Sequence, residues 1–585
     1  MSIDPSLLEK VREVTYKHAL LNAIKHEGKA DVKAVLQKVA GELPEARKYM
    51  KLLVDFIKGI VEEVNKLTLD EQLKVVRDNW PELLEEKTRE FRKELPPLPN
   101  AKEGLVVTRF APNPDFSLHL GNARPALLNY WYAQMYKGKM ILRFEDTDPR
   151  IKAPYPDTYE SIRDDLKWLG VSWNEEYIQS LRLPLFYDVA KEIIRRGGAY
   201  VDLCSTEVFK GYRNQGKACP HRDRPVEIQL EEFDKMLEGV YGEGEAVVRI
   251  KTDLQHPDVS VRDWVAFRII DTSKTPHPVT GEKYIVWPTY NFAAAVDDYL
   301  MGVTHILRAK EHITNTVKQR YLYDHMGWRY PETIHFGKLS LEGIILSKSK
   351  TKKLIAEKGF ASYSDPRLGT IQGLRRRGIV KETIWELIKS VGVKGVDARI
   401  SLVNLYAVNR AIIDPRANRY MAVKDPVYLV LRGIKDELKA LIPVHPSRKD
   451  YYTYTVAEGA IVMVSRDDLV YLRGGVFRLM GLANFTIQGV SEERERLAYV
   501  AVLHSVEHDI TKKHNIPIIQ WVLSSECTKA TLLRPMGLKL EKETLYVEKR
   551  VLGEKKDSIV QLYRMGFARV DKVTKSSITL IYSHD

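Results

Sequence analysis

The stretch Arg109-Phe110-Ala111-Pro112-Asn113-Pro114-Asp115-Phe116-Ser117-Leu118-His119-Leu120-Gly121-Asn122-Ala123-Arg124 decides how the rest of the chain is read. Ahead of it, Val106-Val107-Thr108 reads as a short apolar strand. Behind it, Ala126 to Met135 reads as a helix with an apolar face. The loop between carries Pro112 and Pro114, and the helix opens at Gly121-Asn122. A strand, a sharp loop and a helix N-terminus make an anion-binding corner, because unpaired N–H groups and the positive end of the helix dipole converge there. His119 stands on that corner, just before a glycine that permits close approach.

Outward from this corner, strands and helices alternate from Gly104 onward. Met140 to Phe144 reads as a buried strand ending at Glu145-Asp146-Thr147-Asp148-Pro149, with helices expected around Tyr159 to Leu169 and Leu185 to Arg196. That order predicts a parallel sheet covered on both faces, with ligands at the carboxyl ends of its strands, where Arg109 and Glu145 both fall. From Gly198 to Lys283 the composition turns irregular, which reads as an insertion. The sheet is expected to resume at Tyr284-Ile285-Val286-Trp287. Tyr290, a helix over Ala293 to Leu300, a strand Val303 to Leu307 that delivers Arg308, and a strand Thr333 to Phe336 follow. Toward the N-terminus, Leu7, Leu8, Val11 and Val14, then Leu53, Phe56, Ile57, Ile60, Val61 and Val64, recur at helical spacing up to the proline-rich connector Leu95 to Asn100. Toward the C-terminus, helices run through about Asn409 and carry Arg375-Arg376-Arg377, a cluster suited to an RNA backbone. From about Asp414 short β-rich runs alternate with turns, the pattern of barrels.

The chain has 585 residues and a formal net charge of +13, a balance that favours an anionic partner, nucleic acid first. Its three cysteines, Cys204, Cys219 and Cys527, make no disulfide framework, and no apolar run approaches the ~18 residues that span a bilayer. With no charged-then-apolar leader, a cytoplasmic protein with no membrane partner is expected. Asp202, Cys204, Cys219 and His221 could together hold zinc, since such sites draw on Cys and His pairs brought together by tight turns.

The linked Arg109-Phe110-Ala111-Pro112 and His119-Leu120-Gly121-Asn122 resemble the first signature of class I aminoacyl-tRNA synthetases, in the glutamyl and glutaminyl branch. Ile345-Leu346-Ser347-Lys348-Ser349 resembles the second, Lys-Met-Ser-Lys-Ser, with the first lysine and the methionine replaced by apolar residues. Leu562 to Asp571 resembles the last part of archaeal and glutaminyl-type members, in which two β-barrels read the anticodon. The resemblance covers the chain from about residue 100 to the C-terminus. It implies an α/β fold: a Rossmann-type parallel sheet with an inserted acceptor-binding domain, a helical N-terminal appendage, a helical connector and C-terminal β-barrels. The expected divisions are 1–99 for the appendage, 100–197 and 284–338 for the two halves of the sheet domain, 198–283 for the insertion, 339–412 for the lysine–serine loop and connector, and 413–585 for the anticodon-binding barrels.

The resemblance also implies glutamate–tRNA ligation, with ATP and Mg2+, L-glutamate and tRNA(Glu) as partners; the oligomeric state stays open, with a monomer favoured. Charging of tRNA(Gln) as well stays open. Glutamine–tRNA ligation, a tRNA-binding protein without catalysis and a small-molecule nucleotidylyltransferase are the alternatives. By the same resemblance His119, Asn122 and Lys348 are catalytic, a flexible loop carrying Lys348 closes over the triphosphate, and Pro112, Asn113, His119, Gly121, Asn122, Leu346, Ser347 and Lys348 bind ATP. Arg109, Ala111, Asn113, Glu145, Tyr290 and Arg308 bind glutamate, Arg308 meeting the side-chain carboxylate where glutaminyl enzymes have a neutral residue. The insertion of related enzymes carries Cys-x-Cys followed by Cys-x-His. Here Asp202 replaces the first cysteine, so zinc and a turn packed without metal both remain open.

Overall fold

The computed structural model describes residues 4–25, 28–80, 95–344, 348–357, 359–360, 362–472, 475–493, 496–509 and 514–585. The chain divides into two compact units that meet in sequence between residues 93 and 94. Among the described residues of the first unit lie helices α1 (Pro5–Lys25), α2 (Val32–Glu42), α3 (Met50–Val64) and α4 (Leu69–Asn79). Val11, Ala19, Val35, Val39, Leu53, Ile57, Val61 and Val64 form their common core, at the spacing that puts one stripe of each helix inward. Asp31 caps α2 by accepting from Ala34 N–H at 2.8 Å, and Thr68 with Glu71 closes a capping box on α4.

The second unit opens with the proline-rich segment, which is fastened rather than loose: the Tyr132 hydroxyl donates to the Pro96 carbonyl at 2.8 Å, and Leu98 N–H donates to the Tyr136 hydroxyl at 2.9 Å. Tyr132 lies in the last turn of α5 (Leu120–Met135) and Tyr136 caps its end; α5 follows β1 (Val107–Phe110). Then come β2 (Lys139–Phe144), α6 (Pro156–Trp168), β3 (Glu175–Ile178) and α7 (Leu183–Arg195), with β1, β2 and β3 parallel. Met140 to Phe144 are all buried, as expected of a strand covered on both faces.

The insertion comprises β4 (Ala199–Asp202), α8 (Thr206–Gln215), α9 (Val226–Leu237), β5 (Val247–Ile250), β6 (Val265–Ile269) and β7 (Val286–Pro288). Its four strands pair antiparallel in chain order. The apolar run at 284–287 therefore completes the inserted sheet and does not resume the parallel one. A short buried strand has the same composition in either setting, and only its neighbours distinguish them.

The parallel sheet resumes one helix later. After α10 (Tyr290–Leu300) the chain enters β8 (His305–Ala309), then α11 (Ile313–Met326) and β9 (Glu332–Phe336), parallel to β8. β8 comes in beside β1: Thr304 N–H donates to the Val107 carbonyl at 3.0 Å and Val107 N–H to the Thr304 hydroxyl at 2.8 Å. With β2 on the other flank of β1, the strand order reverses between β1 and β8, and a crevice opens at their carboxyl ends.

The connector holds β10 (Leu339–Leu341), α12 (Lys348–Glu357), α13 (Ile371–Arg376), α14 (Lys381–Val391), β11 (Ala398–Ile400) and α15 (Leu402–Ile413). Where a flexible lysine loop is expected from residue 348 onward, the chain forms α12, because Leu354 and Ile355 pack against Phe360 and Leu368 and give the run an apolar side. The arginine row also departs from expectation. Arg376 makes a paired contact with Asp571, Nε to Oδ1 at 3.1 Å and Nη2 to Oδ2 at 2.9 Å, while Arg377 donates to the Ser583 carbonyl at 3.4 Å and lies over the Tyr406 ring. Two of the three arginines thus fasten the connector to the C-terminal strands, and Arg375 alone is exposed.

Two seven-stranded sheets make up most of the remainder. In one, the edge strands are Asn418–Tyr420 and Ala422–Lys424, separated by Met421 alone. In the other, the edges are Ile518–Ile519 and Val522–Leu523. Edges so close in sequence oblige each sheet to curl until its borders adjoin, which is the barrel solution to exposed strand edges. Among the described residues no helix is long and apolar enough to cross a membrane.

Candidate active site

A cavity of about 670 Å³ occupies the crevice between β1 and β8. Arg109, Ala111, Pro112, Asn113, His119, Gly121, Asn122, Glu145, Tyr290 and Arg308 all line it. Residues separated by some two hundred positions thus share one chamber, because β1, β2, β8 and the start of α10 present their ends to the same side of the sheet. Leu346, Ser347 and the side chain of Lys348 lie outside the described residues.

The signature corner is built by α5 and the loop before it. His119 is the residue before the helix, and Asn122 reaches back so that its Oδ1 accepts from His119 N–H at 3.1 Å. Gly121 is needed for a steric reason: a Cβ there would come within 2.8 Å of the His119 ring. Two neighbours hold the loop. Asp165 of α6 accepts from the Ser117 hydroxyl at 3.1 Å and Leu118 N–H at 3.3 Å. The segment before α13 supplies the Gly369 carbonyl to Leu120 N–H at 3.1 Å and takes the Leu118 carbonyl onto Ile371 N–H at 2.8 Å. Burial pushes the Asp165 carboxyl up to about 7, against the lowering by these two hydrogen bonds.

At the other end, buried charges organise the wall. Arg109 Nε donates to Asp298 Oδ1 at 3.0 Å, and Arg143 spans Asp298 at 2.8 Å and Glu145 at 3.0 Å. Two guanidiniums and two carboxylates balance there. Burial raises the Glu145 carboxyl, with Arg143 and Arg109 opposing, and burial raises Asp298 until Arg109 and Arg143 outweigh it and bring it below the ordinary range. His312 is held neutral: burial first, then the charges of Arg308 and Arg109, bring its pKa to about 4. Its Nδ1 accepts from the Asn315 amide at 3.0 Å.

Arg308 differs from its neighbours. It is 5% exposed, and one nitrogen, Nη2, donates to Thr316 Oγ1 at 2.6 Å, Gln319 Oε1 at 3.0 Å and the Tyr330 hydroxyl at 3.0 Å. Nε and Nη1 are buried with no hydrogen-bond partner of good geometry among the described residues, as is Asn113 Oδ1. Arg308 also lines the cavity, and a guanidinium with donors to spare beside a chamber is a fitting receptor for a carboxylate.

Sequence reasoning passed over Asp298, Arg143, His312 and the three residues around Arg308. Two signals were present. Asp297-Asp298 interrupts an otherwise apolar helix and Arg143 interrupts an apolar strand, and a charge in such a setting demands a partner.

In the insertion, Asp202 joins Cys204, Cys219 and His221, with one ligand atom from each lying within 4.8 Å of the others. Cys204 Sγ is 3.3 Å from His221 Nδ1, and Asp202 Oδ1 is 3.2 Å from the same nitrogen and 3.6 Å from Cys219 Sγ. Arg249 Nε donates to Asp202 Oδ2 at 2.6 Å, so the carboxylate is oriented with its other oxygen toward the thiols. These separations and this donor set fit a tetrahedral zinc ion.

The family model described as the catalytic domain of class I tRNA synthetases (E and Q) matches residues 105–415. Two anticodon-binding domain models of the same family match residues 417–505 and 518–571. The glutamate–tRNA ligase of Staphylothermus marinus is 56% identical over 566 residues, covering 97% of this chain and 100% of that protein. Those of Hyperthermus butylicus and Ignicoccus hospitalis are each 52% identical over 582 residues, covering 97% and 98% of this chain and all of theirs. On this ground, with the crevice and barrels in view, the chain belongs to the glutamyl and glutaminyl family of class I aminoacyl-tRNA synthetases.

Proposed function

We propose that the chain is a glutamate–tRNA ligase, activating L-glutamate with ATP and passing it to the terminal adenosine of tRNA(Glu). The observation that carries this reading is buried Arg308, which lines the cavity and whose hydrogen-bond partners among the described residues include no carboxylate. Glutamate brings a carboxylate that matches it, whereas glutamine leaves a buried cation half satisfied. Arg109, pinned by Asp298, and the pair Glu145 and Tyr290 address the α-carboxylate and α-ammonium, each with opposite or complementary charge. Neutral His312 adds no further positive charge to this end.

At the other end the ATP phosphates lie against the α5 N-terminus, with His119 and the Asn122 amide as donors and Pro112, Asn113 and Gly121 shaping the wall. Magnesium accompanies ATP, and Lys348 of the second signature neutralises the leaving pyrophosphate. The glutamate α-carboxylate attacks the α-phosphorus, and a ribose hydroxyl then attacks the mixed anhydride. The chain contributes positioning and charge rather than covalent steps. Asp202, Cys204, Cys219 and His221 would hold zinc as a structural staple within the insertion.

The test is ATP-dependent charging of purified tRNA(Glu) and tRNA(Gln) with labelled glutamate and glutamine. Glutamate is expected to be esterified and glutamine refused, and Arg308→Cys is expected to weaken glutamate use by about a hundredfold or more. Preferential charging of glutamine, or of neither amino acid, would overturn the reading.

A further inference from the structure

The atoms that hydrogen-bond Arg308 are neutral, and the carboxylate that acts on it, Asp298, does so from beyond hydrogen-bond distance. The bonded partners are a threonine hydroxyl, a glutamine carbonyl and a tyrosine hydroxyl. Each hydroxyl has an acceptor for its own proton: Tyr330 donates to Gln319 Oε1 at 2.8 Å, and Thr316 has the His312 carbonyl at 3.2 Å and His335 Nε2 at 2.9 Å. Their lone pairs are thereby turned to Nη2. The neighbouring buried arginines of the crevice wall, Arg109 and Arg143, are paired with Asp298, and Arg249 of the insertion with Asp202, whereas Arg124 and Arg478 are held by backbone carbonyls and one amide.

Gln319 is fully buried, and its Nε2 has no partner among the described residues. A glutamate has the same shape. It would pair the cation, keep the bond from Tyr330 and remove the orphaned N–H. On stability alone glutamate is the better residue at 319, since a buried charge without a counter-ion is costly. A neutral amide here, beside a guanidinium that lines the cavity, points to a functional demand on the charge.

We propose that Gln319, with Thr316 and Tyr330, is a specificity-determining positioning set that fixes Arg308 without neutralising it and so reserves its charge for an acidic amino acid. This rests on the reading of Arg308 as the receptor for the substrate's side-chain carboxylate. Selection of glutamate over glutamine then depends on two conditions: a guanidinium lining the cavity and, among the described residues, no carboxylate hydrogen-bonded to it. A cradle of hydroxyls and one amide orients the fork while diminishing its electrostatic attraction less than a bonded carboxylate would.

The test is steady-state charging of tRNA(Glu) by the full chain at saturating ATP and tRNA, with glutamate and glutamine varied. Gln319→Glu is expected to raise the glutamate KM about ten- to a hundredfold, to change kcat at saturating glutamate by less than about threefold, and to narrow the preference over glutamine by the same factor as KM. Gln319→Met removes the same acceptor without adding charge and is expected to raise KM less than about fivefold. If Gln319→Glu does not fold, Thr316→Asp, which places a carboxylate at the hydroxyl 2.6 Å from Nη2, carries the same expectation. Equal KM shifts in the charged and uncharged variants, or an unchanged preference in the charged one, would overturn the proposal. Failure of the unsubstituted chain to charge glutamate would instead overturn the reading of the site itself.

Discussion

Arg124→Met tests whether one buried side chain holds the signature helix to the rest of the crevice. Arg124 lies on α5 and is 1% exposed. Its Nε and Nη2 donate to the Gly392 carbonyl at 3.1 and 2.8 Å, Nη2 also to Lys394 at 3.2 Å, and Nη1 to Gly337 at 2.5 Å. The guanidinium also lies over the Phe336 ring, 4.8 Å from its centre. One cation thus joins α5, the end of β9 and the residues after α14. Removing it strands three carbonyls, at about 2 kcal/mol apiece. Against that stands the relief of burying the charge. Burial lowers the Arg124 pKa to about 10, a penalty of about 3 kcal/mol. The net expectation is a loss of about 3 kcal/mol. Arg124→Lys should recover little of it, since a single nitrogen cannot reach both Gly337 and Gly392. Because Arg124, Phe336 and Gly337 line the cavity, the KM for ATP should rise with the loss of stability. Thermal unfolding and charging kinetics on the full chain provide the measurements. A methionine variant within about 0.5 kcal/mol of the parent in stability would show that the carbonyls are satisfied otherwise and that the latch is not one.

Asp165 should make the sheet domain pH-sensitive. Its carboxyl is raised from 3.8 to about 7 by burial, with the Ser117 and Leu118 bonds opposing and Asp164 and Arg375 as charged neighbours. A raised acid contributes stability that is present below its unfolded value and lost as pH climbs to the folded one, here about 4 kcal/mol in all. Relative to the parent, Asp165→Asn should therefore gain stability progressively from about pH 4 to about pH 7 and hold level above. Urea midpoints across that range measure it, and a difference independent of pH would contradict the linkage. For the metal group, the chain purified without chelators should carry about one zinc, and Cys204→Ala or Cys219→Ala should release it. Elemental analysis decides, and a metal-free chain after refolding with zinc would refute the site.

The sequence by itself determined the classes of structure and the cast of the crevice. Periodicity separates the helical front, the alternating middle and the β-rich end, because burial of one face imposes a period of 3.6 or 2 residues wherever a segment meets a core. The corner around His119 was readable because its glycine and its cap residue sit within four positions of one another. Tertiary structure alone decided what depends on distant partners. Strand 286–288 joined the inserted sheet through pairing with β6, which no local pattern records. Arg376 and Arg377 turned inward because Asp571 and Ser583, some two hundred residues later, were there to receive them. Whether Asp202 stands among the thiols, and whether the atoms behind Arg308 are charged or neutral, follows likewise from how helices and strands are laid together. Local sequence encodes local geometry, while the electrostatic state of a buried group is the sum over neighbours that only the completed fold assembles.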